Sequence, residues 1–458
     1  MRTGELGFWW RSLGGPPPPR APLAGPCEAD VAIVGAGYTG LWTAYYLARA
    51  EPSLRIVVLE AEVAGFGASG RNGGWVSGFF SGPARAYLRR SSAAAYAALQ
   101  REMFATVDEI ANVLERHSID AELVRGGHLS LALGAAQLAR LEHELAAARG
   151  LGLGEQDLRL LSESELAARV RVAGALGASY SPHVARVHPA KLLAGLAGAV
   201  EELGVEIFER TPVTAIEPRR AVSSRGTVSA RWVVRATEGY TATLRSQRRA
   251  LVPINSSMVI TEPLGPDLWA EIGWEGSEVI GDAANVYVYL QRTADGRIAI
   301  GGRGVPYRFA SRTDGRGETA PATVAGLSSK LAAIFPPTAG VGLEHAWSGV
   351  LGVSRDWCVS LAADPASGLA RAGGYVGEGV AAANLAGRTL CDLILGRDSE
   401  LTGLPWVGRD PRRWEPEPLR WAAIRGVYAL YRRADAVEAR RGHPSRLGRL
   451  VDAASGRA

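Results

Sequence analysis

The sequence predicts an α/β protein in which a Rossmann-like nucleotide-binding domain carries an inserted antiparallel-sheet domain and a C-terminal helical extension. Three observations predict it. The apolar run Val31 to Val34 leads into Gly35-Ala36-Gly37-Tyr38-Thr39-Gly40 and a helical pattern from Leu41 to Ala50. A second apolar run, Ile56 to Leu59, ends on Glu60. Strand-type alternation dominates residues 251–308. A chain of 458 residues is too long for one core, so two or more domains are expected.

Each residue of the first unit has a physical task. Gly35 permits the tight turn after the strand, Gly37 lets the backbone approach a pyrophosphate, and Gly40 lets the helix pack close to the strand. The helix then aims its N-terminal amides at the phosphates. A carboxylate at Glu60 accepts hydrogen bonds from ribose hydroxyls and repels a 2′-phosphate. Strand, helix, strand and terminal acid together predict an adenine dinucleotide site. The next segment, Ala64 to Gly74, is too glycine-rich for a packed element. Small residues and the cation of Arg71 suit a loop pressed against a pyrophosphate and a flat ring, although an ordinary surface loop has the same composition.

That loop contains Gly67-Ala68-Ser69-Gly70-Arg71-Asn72-Gly73-Gly74. On this string the chain resembles the FAD-dependent amine and amino-acid oxidoreductases of the D-amino-acid-oxidase-like family, which includes glycine oxidase and sarcosine oxidase. The likeness is greatest to the γ-glutamylputrescine oxidoreductase branch and extends over residues 29–400. It implies a non-covalent FAD held by Gly35, Gly37, Tyr38, Thr39 and Gly40, by Glu60 and Ala61, and by Gly67, Ala68, Ser69, Arg71, Asn72, Gly73 and Gly74 along the pyrophosphate and flavin edge. It implies a discontinuous FAD-binding domain (29–95, 171–245 and 343–400), a substrate domain (96–170 and 246–342), an N-terminal lead (1–28) and a helical tail (401–458).

The remaining elements follow in order. The lead is proline-rich, with an aromatic anchor at Phe8 to Trp10. Helical periodicity covers Tyr96 to Arg116 and Ala135 to Arg149, with a strand between them at Gly126 to Leu133. His188-Pro189 opens a helix through Glu202, and Val205 to Phe208 returns as a strand. Thr211 to Ile216, with Val213, resembles the family strand that passes the adenine. Ala236, Thr237 and Gly239 end a strand that resembles the one beneath the pyrophosphate. Asp295-Gly296 marks a hairpin between Val286–Leu290 and Arg297–Gly302, and Tyr287 and Tyr289 on it face either a pocket or a core. Trp347 and Gly349 begin a segment like the family's approach to its last strand. Gly374, Tyr375, Gly377, Gly379 and Val380 precede a helix, Ala381 to Leu395. The resemblance points that helix at the pyrimidine edge of the flavin, where its dipole favours the negative charge of reduction.

Departures from the family pattern bear on the substrate. Glu378 stands where many relatives carry histidine; it either binds a substrate amine or caps the helix. Glycine-oxidase-like members place a carboxylate-binding arginine five residues before the aspartate that corresponds to Asp356, and Leu351 stands there instead. Arg303 or Arg355 is left to substitute. Lysine occurs only at Lys191 and Lys330, in helical stretches, so the lysine that promotes dioxygen reaction in sarcosine-oxidase-like members has no evident counterpart. The candidate catalytic residues are Glu378, Arg303, Tyr289 and Tyr287. His128 and His188 read as structural.

Composition excludes several classes. The net charge of +5 is almost wholly arginine, without a compact basic-aromatic motif, so no nucleic acid is expected. Cys27, Cys358 and Cys391 are far apart, which argues against a disulfide framework and for a reducing, cytoplasmic setting. No signal peptide or apolar span of membrane length is read, and the seven histidines show no metal-ligand spacing, so no metal is expected. The favoured reading is an enzyme that oxidises a C–N bond of a primary or secondary amine, or an amino-acid derivative, by hydride transfer to flavin N5. The product is an imine and then a carbonyl compound; dioxygen or another acceptor reoxidises FAD. A flavin-dependent monooxygenase, suggested by Gly281-Asp282, and a non-catalytic FAD-binding protein are the alternatives. The tail helix at 419–441 has aromatics at helical spacing, read as body packing, an oligomer contact or a membrane-surface helix.

Overall fold

The computed structural model describes residues 1–313 and 316–457. One sheet carries the nucleotide-binding unit. Its parallel core runs Gly226–Arg235, Cys27–Val34, Ile56–Leu59 and Glu206–Phe208. Val31 to Val34 and Ile56 to Leu59 are buried on both faces, which is why they read as unbroken apolar runs. Val213–Glu217 and Arg220–Ser223 extend one edge antiparallel, and Leu369–Gly373 joins the end of Gly226–Arg235 in parallel.

Helices Tyr38–Ala50, Pro189–Glu202 and Gly379–Leu395 cover this sheet and share one core with it. Gly387 is where the first and last of them cross. A Cβ there would lie 2.8 Å from the Trp42 carbonyl carbon, so only glycine allows the approach. Gly40 acts likewise against the strand: its Cβ would lie 1.9 Å from the Gly35 oxygen. These two contacts bring two helix N-termini to the same end of the sheet.

The second sheet has nine strands, in the order Arg2–Thr3, Leu343–Val353, Val252–Thr261, Ile298–Gly302, Val288–Arg292, Val279–Asp282, His128–Leu131, Gly177–Ser181 and Arg159–Ser162. Its centre is antiparallel, and the expected hairpin turns at Gly296, with φ +76°. Three strands fall across the boundaries read from sequence. Gly177–Ser181 and Leu343–Val353, assigned to the FAD-binding segments, and Arg2–Thr3 of the lead all pair in this sheet. Sheet membership is set by long-range pairing, which local periodicity does not report.

The lead forms a short helix, Phe8–Arg11, whose three aromatics are buried. The tail forms helices Leu419–Arg441 and Arg446–Ser455. Ile424 and Tyr428 pack with Trp414 against Val252, Ile254, Tyr307 and Val353, so the tail's aromatic stripe covers the body, one of the three readings open from sequence. Among the described residues no helix is long and apolar enough to cross a membrane.

Candidate active site

A long cavity of about 340 Å³ runs along the carboxyl end of the parallel strands. Both glycine clusters reach it. Gly35, Gly37, Tyr38 and Thr39 line it from the first helix entry, and Tyr375, Gly377, Gly379 and Val380 from the second. Glu60 and Ala61, Gly67, Ala68, Ser69 and Asn72, Val213, and Ala236, Thr237 and Gly239 complete the expected wall.

The remaining predicted cofactor residues stand behind that wall. Gly40 makes the helix–strand contact. Arg71 lays its guanidinium 4.5 Å over the Phe66 ring and donates to the Glu5 carbonyl. Gly349 packs against the Arg71 side chain. Trp347 donates from its indole to the Arg71 carbonyl at 3.0 Å. Gly73 meets the Tyr289 ring, and Gly74 meets Gln291 and the Val187 carbonyl. Gly374 donates its N–H to Glu238. These residues scaffold the wall from behind and are not among those that line the cavity.

Asn72 is the centre of that scaffold. Its amide donates to the Ser69 carbonyl at 2.6 Å, its side-chain oxygen accepts from Gly74 N–H at 2.7 Å, and its carbonyl accepts from Trp9 at 2.8 Å. Ser69 Oγ in turn accepts from Tyr38 N–H at 2.9 Å, locking the loop onto the first helix. Thr39 donates to the Tyr375 hydroxyl at 3.1 Å, which ties the two glycine clusters together.

The lining chemistry fits a dinucleotide. No lysine or arginine lines this cavity among the described residues. A pyrophosphate there must be held by backbone amides and helix dipoles, each worth up to about 2 kcal/mol when partly buried. The helix Gly379–Leu395 has no side-chain cap at its N-terminus, so its first amides are available. At the opposite end, Glu60 accepts from Ala36 and Glu62 N–H groups at 2.8 and 3.0 Å. Burial pushes its carboxyl up to about 7, against those two bonds.

Glu238 was not singled out from sequence. It lines the cavity, accepts from Gly374 and Tyr375 N–H at 3.1 Å each, and has φ +41°. Burial raises it to about 7 as well. It props the second glycine cluster. The surrounding strand end offered the signal, since a carboxylate stands there between Thr237 and Gly239.

A second cavity, about 250 Å³, adjoins the first at Gly377-Glu378. Glu378, Arg303 and Tyr287 line it, and the tail adds Tyr428 and Arg457. The Glu378 carboxyl is raised by burial, with only the Ser77 hydroxyl opposing. Tyr289 is not brought there. Its hydroxyl bonds Ser256 Oγ at 2.9 Å, and its ring packs edge-on to Trp75. It sits within the strand Val288–Arg292 with its ring against Gly73, whereas Tyr287 lies in the turn before that strand. Arg355 is occupied by Glu415 at 3.1 Å, so of the two candidate arginines only Arg303 reaches the cavity. His128 packs at a tilt against Trp75, and burial pushes it down to about 4; His188 caps the helix Pro189–Glu202. Gly281-Asp282 lies in the antiparallel sheet, where Asp282 accepts from Val288 N–H.

A family model described as FAD dependent oxidoreductase matches residues 30–393. The chain belongs to this family. Gamma-glutamylputrescine oxidoreductase of Escherichia coli is 30% identical over 377 residues, covering 80% of this chain and 84% of that protein. Glycine oxidase from Geobacillus kaustophilus superposes with a TM-score of 0.66 at 24% identity, over 81% of this chain and 96% of that one. L-proline dehydrogenase from P. horikoshii gives 0.67 at 18%, over 83% and 98%. Those two likenesses show the fold. This chain of the FAD dependent oxidoreductase family is therefore an enzyme that uses FAD and acts on an amine or amino acid with a separate electron acceptor.

Proposed function

We propose that this enzyme oxidises a C–N bond of a primary or secondary amine that lacks an α-carboxylate, with FAD bound non-covalently. The observation that carries this reading is Glu378 at the junction of the two cavities, with Leu351 on the neighbouring wall. Leu351 Cδ1 lies 3.9 Å from where a Cβ on Gly377 would be, so the ring end of the cavity is apolar there. An α-carboxylate beside it would lose its hydration without gaining a partner, a cost of several kcal/mol.

The chemistry that bound FAD supplies is acceptance of a hydride from the amine-bearing carbon, leaving an imine for water to hydrolyse. The chain's own residues bring the amine to that point. The Glu378 carboxylate accepts an ammonium N–H and, raised by burial, takes its proton as the amine becomes neutral. Tyr287 and Val376 narrow the space on either side and exclude water. No cysteine lines the cofactor cavity among the described residues, which supports non-covalent binding. Lys191 is paired with Glu122 at 2.9 Å and Lys330 faces Asp282, so neither stands where it would promote dioxygen reaction; dioxygen or another acceptor closes the cycle. The placement of Gly281-Asp282 away from the cavity disfavours the monooxygenase alternative.

Anaerobic bleaching of the flavin band tests the reading. Simple amines should bleach it, and glycine and plain D-amino acids should not. Fast bleaching by glycine with amines inert would refute it.

A further inference from the structure

We propose that Arg303 and Arg457 form a two-guanidinium subsite for a carboxylate carried by the amine substrate several bonds away from the reacting carbon. The inference rests on the amine-oxidising reading and names the substrate's second functional group.

Both arginines line the second cavity and neither lines the first. Arg303 stands just beyond the strand Ile298–Gly302. Its Nη2 reaches the Val376 carbonyl only at 3.5 Å, the Tyr287 hydroxyl is its side-chain neighbour, and its Nη1 is buried without a hydrogen-bond partner among the described residues. Arg457 arrives from the tail. Gly456, with φ +85°, reverses the chain after the helix Arg446–Ser455, and the N–H groups of Gly456 and Arg457 both donate to the Asp452 carbonyl. The Ser455 carbonyl just before the turn is held by the Trp357 indole at 3.1 Å. The Arg457 guanidinium then lies 5.2 Å from the Trp357 ring centre and 5.0 Å from that of Tyr431.

Neither arginine has an ion-pair partner among the described residues. Asp452, the carboxylate nearest in sequence to Arg457, accepts from the Tyr431 hydroxyl at 2.6 Å. Among the described residues Glu378 is the only acid on the cavity wall, and its carboxyl is turned to Ser77. Asp452 is the carboxylate whose charge favours the Arg457 cation, and no described carboxylate lies within ion-pair distance of either guanidinium. Two desolvated cations so weakly balanced are costly, and a bound anion offsets that cost. Guanidinium forks match a carboxylate in shape and charge. Glu378 adjoins the cofactor cavity, both arginines line only the second cavity, and neither pairs with Glu378, so the ligand that fits carries its amine and its acid apart: an ω-amino acid or a longer amine ending in a carboxylate. This is compatible with Leu351, because the acid group does not lie at the reacting carbon.

The test uses a matched pair on the FAD-loaded enzyme: 5-aminopentanoate and pentylamine, with anaerobic flavin reduction as one readout. The ratio of kcat/KM should favour the aminoacid at least tenfold in the native enzyme, and Arg457→Gln should lower that ratio about tenfold, as expected for one charge-assisted hydrogen bond. Arg457→Lys should restore part of it. Calorimetric titration with pentanoate, which lacks the amine, supplies a readout independent of turnover: binding to the native enzyme, at least tenfold weaker in Arg457→Gln. Equal kcat/KM for the pair, or pentanoate affinity unchanged in Arg457→Gln, would overturn the subsite. Failure of every amine to bleach the flavin would instead strike at the proposed function, and the pentanoate titration would still decide the subsite.

Discussion

The Trp9 indole donates to the Asn72 carbonyl at 2.8 Å, so a residue of the N-terminal lead braces the loop that walls the cofactor cavity. Trp347 makes the equivalent bond to the Arg71 carbonyl at 3.0 Å. Two successive carbonyls are thus held by indoles that pack edge-on, 5.9 Å apart. Trp9→Phe keeps most of that packing and removes one donor. An unsatisfied buried carbonyl costs about 1–3 kcal/mol. Melting temperature should fall, and FAD should leave faster on dilution, by about fivefold or more. Unchanged FAD release in a folded Trp9→Phe protein would show that the brace does not control the loop.

The titration of Glu60 gives a pH dependence with a defined sign. Its folded, cofactor-free pKa is about 7 against an ordinary value of 4.5. A carboxyl raised in this way stabilises the folded apoprotein below about 4.5 and loses that contribution as pH rises towards 7. Glu238 follows the same course for the same reason, burial. Ribose hydroxyls need the ionised form of Glu60 as acceptor. FAD affinity should therefore rise with pH up to about 7, by no more than about tenfold per unit, and then level off. Fluorescence titration of apoprotein at several pH values measures this. Glu60→Gln should weaken FAD and flatten the lower part of the profile; a native profile already flat from pH 5 to 8 would contradict the assignment.

Much of the cofactor side was legible because its signals are local. Gly35, Gly37 and Gly40 act within one turn, Glu60 ends its own strand, and each is constrained by backbone geometry that the sequence displays. The substrate side was not, because it is assembled from distant segments. Tyr287 and Tyr289 would share a face if both were in the strand, yet only Tyr287 reaches the second cavity, because the strand begins at Val288 and Tyr287 belongs to the turn before it. Arg457 had no local signal at all. Its role depends on a tail that packs back over the body through Ile424 and Tyr428. Arg71 did carry a local signal, its charge; the packing of its guanidinium over the Phe66 ring did not show in the sequence.

Asp435 on the tail helix connects that packing to the site. Its carboxylate accepts from Asn285 N–H and side-chain amide at 2.8 Å each and from Val286 N–H at 3.0 Å. Tyr287 follows directly in the chain. Asp435→Ala removes three bonds from the turn that presents Tyr287, bonds of about 1.5–3 kcal/mol each when the acceptor is charged. KM for the amine should rise several-fold while FAD content, read from the absorbance ratio of flavin to protein, stays at the native level. Loss of FAD with KM unchanged would place Asp435 in general stability and not in site geometry.

Leu351 offers the sharpest change of specificity. It sits within the strand Leu343–Val353, paired with Ile254 in the nine-stranded sheet, and it lines the cofactor cavity facing Gly377. An arginine there would project into the ring end of the cavity, where glycine-oxidase-like relatives are expected to hold an α-carboxylate. Leu351→Arg should raise kcat/KM for glycine or sarcosine at least tenfold from the native baseline, since a charged hydrogen bond is worth about 1.5–3 kcal/mol. It should lower kcat/KM for pentylamine, because a cation then stands near the site of the incoming ammonium and repels it. The two substrates must be compared in one preparation with its flavin content measured, so that a loss of cofactor is not mistaken for a change of preference. A variant that keeps FAD and loses activity towards both classes equally would mean that this wall does not discriminate α-carboxylates, and the exclusion of simple amino acids would then need another cause.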